Sequence, residues 1–159
     1  MDATTLQLRL LTLNAEYAAC IDDDRIEQWP DFFADDACVY RITTADNHEQ
    51  GLPAGLIYAS SKGMLRDRVS ALREASVYER QRYRHVVGVP RVLASADGAL
   101  RAEAAFMVAR IMRDGATDLF ATGRYVDRIV QADDGALRFA ERLVICDSQR
   151  VDTLLVLPL

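Results

Sequence analysis

Histidine, cysteine and lysine are scarce in this chain of 159 residues: His48 and His85, Cys20, Cys38 and Cys146, and the single lysine Lys62. The cysteines are odd in number, far apart and form no CxxC pair, so neither a zinc clip nor an iron–sulfur cluster is encoded locally, and a reducing cytoplasm suits them. A mononuclear iron held by two histidines and a carboxylate would consume both histidines and leave no spare ligand. No glycine-rich phosphate loop of the GxGxxG or GxxxxGK(S/T) kind is present, so nucleotide cofactors are not indicated. No apolar run approaches the roughly 18 residues of a membrane span, and Met1-Asp2-Ala3 opens without a basic region. The expected location is the cytoplasm, with no membrane contact.

What remains is an ordinary globular composition, 50% hydrophobic and 27% charged with a net charge of -5, and the length suits one domain over residues 1–159. Charge is unevenly spread. Residues 66–91 carry seven bases against three acids, while residues 1–65 carry four against eleven. The basic island does not indicate nucleic acid, because Asp67, Glu74 and Glu79 interrupt it and the chain is acidic overall. Arginine is its cation, and the planar guanidinium suits interfacial ion pairs better than lysine does.

Leu6, Leu10, Leu13, Tyr17 and Ile21 form one apolar stripe, which predicts a helix over about 5–21 with Thr4 or Thr5 as its cap. Asp22-Asp23-Asp24 stops it. Asp24 and Glu27 have capping-box spacing for a short second helix through Trp29. Cys38 to Thr43 reads as a first strand. Residues 44–60, with Asn47, Gly51, Pro53 and Gly55, read as a long loop with a short apolar piece, Leu56-Ile57-Tyr58. Ser60 or Ser61 caps a third helix over about 62–77, with Leu65, Val69 and Leu72 on its inner face. Asp97-Gly98, Asp114-Gly115 and Asp134-Gly135 then divide long β-rich runs at about 84–95, 100–112, 118–131 and 137–147. Three helices followed by a curved antiparallel meander make an α+β cone, and the mixed polarity of the meander's faces asks for a ligand cavity or a second chain.

Two constellations carry chemistry. Tyr17, one of the acids Asp22 to Asp24, with Asp24 foremost, and His85 could supply an acid and a base at the cone's mouth for dehydration or isomerisation, or line a small-ligand pocket. The structural alternative makes the aspartates a helix stop and cap, and His85 a satisfied core residue. The second constellation is the polar string from Glu79 to His85, where Arg80, Arg82, Tyr83, Arg84 and His85 form a recognition edge able to pair with carboxylates of a partner.

Several segments resemble the small, or beta, subunits of Rieske-type aromatic-ring-hydroxylating dioxygenases. They are Glu27-Gln28-Trp29-Pro30-Asp31-Phe32-Phe33, the run from Asp46 through His48 to Gly55, and Met64-Leu65-Arg66-Asp67-Arg68. Tyr78-Glu79-Arg80 follows, then Arg82-Tyr83-Arg84-His85, Cys146-Asp147-Ser148, Asp152-Thr153-Leu154 and Leu157-Pro158-Leu159. The resemblance implies a cone-shaped, NTF2-like fold, similar to nuclear transport factor 2 and ketosteroid isomerase, with three N-terminal helices on a curved, mainly antiparallel sheet. It also implies a structural subunit with no catalytic, metal or cofactor residues of its own. The Rieske 2Fe-2S cluster and mononuclear iron would then sit in an alpha (large) oxygenase subunit, assembled as an alpha3beta3 hexamer with self-association around a three-fold. The substrate implied is an aromatic carboxylate, terephthalate-like.

Overall fold

In the structure, a computed structural model describing residues 2–53, 55–75, 77–150 and 155–159, helix α1 spans Ala3–Asp22. Its cap is Asp2, two or three residues earlier than expected. The Asp2 carboxylate accepts the Thr4 and Thr5 backbone N–H groups, both at 3.0 Å, and so satisfies two amides that have no partner within the helix. The expected stripe is buried from Leu10 through Leu13 and Tyr17 to Ile21, with Leu6 partly so, and Asn14 joins it. The helix stops where Asp24 adopts a left-handed backbone, φ 59°. That conformation is incompatible with the extended cap expected of Asp24, and the 3-10 helix Ile26–Phe32 that follows has no side-chain cap. The carboxylates of Asp24 and Glu27 instead meet Arg73, at 2.9 and 2.6 Å.

Strand β1 is Val39–Thr44, and the expected loop after it contains two short elements: helix α2, Ala45–Glu49, and strand β2, Ile57–Ala59. Thr44 caps α2 by accepting the Asn47 N–H. Gly55 then passes so close to β1 that an added Cβ would lie 2.9 Å from the Ile42 carbonyl oxygen. Helix α3, Lys62–Glu74, is capped by Ser61 and buries Leu65, Val69 and Leu72.

Strands β3 (Gln81–Val87), β4 (Arg91–Ala96), β5 (Ala99–Met112), β6 (Thr117–Gln131) and β7 (Leu137–Cys146) complete one sheet. Its order is β2-β1-β7-β6-β5-β3, with β4 also on β5; β1 runs parallel to β7, and every other pairing is antiparallel. The run expected as one strand over 84–95 is two. Gly88 still donates to Ala105, but Pro90 has no N–H to give, and its carbonyl is held by Gln7 of α1. The chain therefore breaks and resumes as β4 farther along β5. Asp97 and Gly98 both have positive φ, 52° and 73°, as a two-residue turn of the primed kind requires. At the other two turns, Asp114 and Asp134 each accept the N–H two residues on, at 2.9 Å. Register shifts at Val108/Ala109 and Arg128/Ile129 bend the long strands around the helices.

The space between helices and sheet is packed with aromatic rings. Tyr17 and Phe139 meet edge-to-face at 5.6 Å, Trp29 and Tyr40 at 5.0 Å, and Phe106 stacks on Tyr125 at 4.5 Å. The segment 155–159 returns to this core: Leu157 and Leu159 are buried, and the Tyr17 and Tyr40 hydroxyls both donate to the Leu159 carbonyl. Asp152-Thr153-Leu154 lies outside the described residues. All three cysteines are buried and free, and burial pushes the thiols of Cys20 and Cys146 up to about 11.

Candidate functional site

The acid/base candidates are not gathered as expected. His85, on β3, faces Asp22 and not Asp24: its Nδ1 lies 2.6 Å from one Asp22 oxygen, and its backbone N–H donates to the other at 2.8 Å. Both side chains are nearly inaccessible, at 0% and 3% exposure. Asp24 points to solvent, with its carboxylate on Arg73. The Tyr17 hydroxyl is committed to Leu159, and its ring neighbours are Phe32, Phe33, Tyr125 and Phe139. The trio of Tyr17, Asp24 and His85 therefore does not form one pocket. Only Asp23 lies between Asp22 and Asp24, yet Asp22 meets His85 and Asp24, in its left-handed turn, meets Arg73.

A different polar group occupies the interior. Arg142 of β7 is fully buried, and its guanidinium carbon lies 4.2, 4.0 and 3.8 Å from the ring centroids of Tyr17, Tyr125 and Phe139. Asp127, its cross-strand neighbour on β6, accepts two hydrogen bonds, at 2.9 and 2.7 Å, and Asn14 of α1 accepts a third at 2.5 Å. Burial alone would make the guanidinium easier to deprotonate, but the Asp127 charge and hydrogen bonds outweigh it and hold Arg142 protonated above its usual range. This cluster fills the cone with the protein's own side chains. Sequence reasoning missed it because an acid and a base on neighbouring strands reveal themselves only once the register is known. The available signal was Asn14, a polar residue on the otherwise apolar face of α1.

The cluster and the iron together would need four histidines, and this chain has two. A Rieske centre takes two cysteines and two histidines, and the catalytic iron takes two further histidines. The two histidines here sit apart in the fold's order, His48 on α2 and His85 on β3 against Asp22. Among the described residues, no three His, Cys, Asp or Glu side chains gather in a way that could hold a metal ion.

The arginine string lies at the start of β3, along a groove of about 910 Å³ between that strand, the end of α1 and the end of α3. Arg82 and Arg84 are exposed, whereas Tyr83 and His85 alternate with them into the core. On the same outer sheet face, Val86 pairs with Met107, both exposed, and Leu119 stands exposed beside Ala109. No helix among the described residues is long and apolar enough to cross a membrane.

Known proteins share this architecture. The family profile described as "Ring hydroxylating beta subunit" matches residues 16–153. The chain is 48% identical to the terephthalate 1,2-dioxygenase terminal oxygenase component subunit beta 1 of Comamonas sp, over 96% of this chain and 98% of that one. It is 37% identical to the anthranilate 1,2-dioxygenase small subunit of Burkholderia cepacia, over 92% and 90%. A crystal structure assigned as the beta subunit of an aromatic-ring-hydroxylating dioxygenase from Novosphingobium aromaticivorans superposes with a TM-score of 0.87 at 38% identity, covering 98% and 97%. Such beta subunits have the NTF2-like cone, and the helices on an open mixed sheet described above match it. Matched along nearly its whole length, the chain belongs to the family of beta subunits of aromatic-ring-hydroxylating dioxygenases.

Proposed function

We propose that this chain is the non-catalytic subunit of a cytoplasmic oxygenase acting on an aromatic carboxylate of the terephthalate type, and that it holds the large subunits together in an alpha3beta3 hexamer. The cluster and the mononuclear iron belong to the large subunit, as does the pocket for the aromatic ring. The observation that carries this reading is the filled cone. Arg142, its three rings and Leu159 occupy the interior, and among the described residues the carboxylate–histidine pair, Asp22 with His85, is buried against α1. Two surfaces support assembly: the groove lined by Arg80, Arg82 and Arg84, and the exposed Val86, Met107 and Leu119 on the outer sheet face.

The test is co-expression with a large oxygenase subunit. A complex that co-elutes and carries the visible spectrum of an iron–sulfur protein is expected, with the spectrum absent from this chain alone. A soluble monomer that ignores the co-expressed large subunit would contradict the proposal.

A further inference from the structure

Among the described residues, the start of β3 is an open sheet edge. Gly88 donates its N–H to Ala105, toward β5, whereas the N–H of His85 turns the other way, to Asp22. Alternation along an antiparallel strand then directs the backbone N–H and C=O of Gln81 and Tyr83 away from β5, onto the free edge. Asp22 covers that edge at His85, which leaves the stretch from Gln81 to Arg84.

Charge along the same groove is unbalanced. Arg73 is taken by Asp24 and Glu27, Asp22 by His85, and Asp23 lies 3.6 Å from Arg25. Among the described residues Arg80 and Arg82 have no carboxylate within 4.0 Å, and Arg84 reaches Asp22 only at 4.0 Å. Arg82 and Arg84 stand on the outer sheet face, while Leu72 and Leu157 line the groove on its inner side. An unpaired strand edge beside uncompensated guanidiniums, with an apolar floor, has the features of a strand-addition site.

We propose that this edge receives an extended acidic segment of the large oxygenase subunit, which adds as a further strand beside Gln81 to Arg84. The proposal rests on the subunit reading above and names the contact within it. Strand geometry fixes the chemistry of the incoming segment. Residues two apart on its outer face lie opposite or diagonal to Arg82 and Arg84 and are acidic; the residues between them face Leu72 and Leu157 and are apolar.

Hydrogen exchange on the complex with its large subunit tests this. The amides of residues 81–84 are expected to exchange at least about tenfold more slowly in the complex than in the isolated chain. Gln81→Pro removes one outward N–H without touching the ladder to β5, so it should weaken the complex by about tenfold and leave the melting of the isolated chain unchanged. The double variant Arg82→Glu/Arg84→Glu, at exposed positions, should weaken it by about a hundredfold. A wild-type complex in which these amides stay unprotected, with both variants binding as tightly as wild type, overturns the strand addition and leaves the subunit reading intact. Failure of the wild-type chain to bind the large subunit at all refutes the subunit reading, and the proposal with it. Slowing of the same amides in the isolated chain by millimolar terephthalate would assign the groove to a small carboxylate and overturn the proposal.

Discussion

Replacing Arg142 with alanine is expected to destabilise the protein by about 3–5 kcal/mol, a large share of the stability of a single domain. Three losses coincide. The bidentate partner of Asp127 disappears, leaving a fully buried carboxylate without its cation. Asn14 loses its donor, and the cavity opens among Tyr17, Tyr125 and Phe139. The cost is dominated by the orphaned charge rather than by any large net gain from the pair, since desolvating two ions offsets most of their attraction. The double variant Arg142→Met/Asp127→Leu, which removes both charges and refills the space, should recover most of the loss. Urea denaturation of wild type, Arg142→Met, Asp127→Leu and their double variant closes the cycle and gives the coupling. An Arg142→Ala protein as stable as wild type would show that the cluster is not the keystone of the interior.

Gly123→Ala is expected to be comparably severe, at least about 3 kcal/mol, at the upper end of what overpacking costs. An added Cβ at Gly123 would lie 2.0 Å from the Ile145 carbonyl oxygen and 3.1 Å from the Cys146 Cα. These are backbone atoms of the neighbouring strand, so no rotamer change relieves the clash and β6 must part from β7, the pair that also carries Asp127 and Arg142. The same substitution at Gly63, in the first turn of α3, meets only the Ser61 hydroxyl at 3.7 Å. There it should be neutral or stabilise by up to about 1 kcal/mol, because alanine loses less backbone entropy in a helix. The denaturation midpoint should therefore fall in Gly123→Ala and hold or rise in Gly63→Ala; a Gly123→Ala midpoint unchanged from wild type would contradict the close approach.

The helices and turns were legible because their signals are local. The stripe from Leu6 to Ile21 and the three Asp-Gly pairs each fix a conformation within a few residues. The break between β3 and β4 was written in Gly88 and Pro90, but the apolar residues on both sides masked it as one long run. α2 and β2 were hidden because Thr44 supplies a cap and Gly55 a close approach inside a stretch whose composition reads as loop. The site was less legible, for a physical reason: which aspartate meets His85 depends on the left-handed turn at Asp24, and the Arg142–Asp127 pair depends on register across β6 and β7. The arginine string was visible as a string. Its shortage of acidic partners among the described residues and its place on an open strand edge needed the three-dimensional arrangement.

The most direct test of the central claim, that this chain supports a reaction carried out elsewhere, is turnover of an aromatic carboxylate by separately purified components. No product is expected from this chain alone, and full activity when the large subunit and its electron supply are added. A complex built with His85→Ala should keep a rate within about twofold of wild type per assembled oxygenase. Turnover by the isolated chain, or an assembled His85→Ala complex that has lost its activity, would contradict a supporting role and give the Asp22–His85 pair a catalytic one.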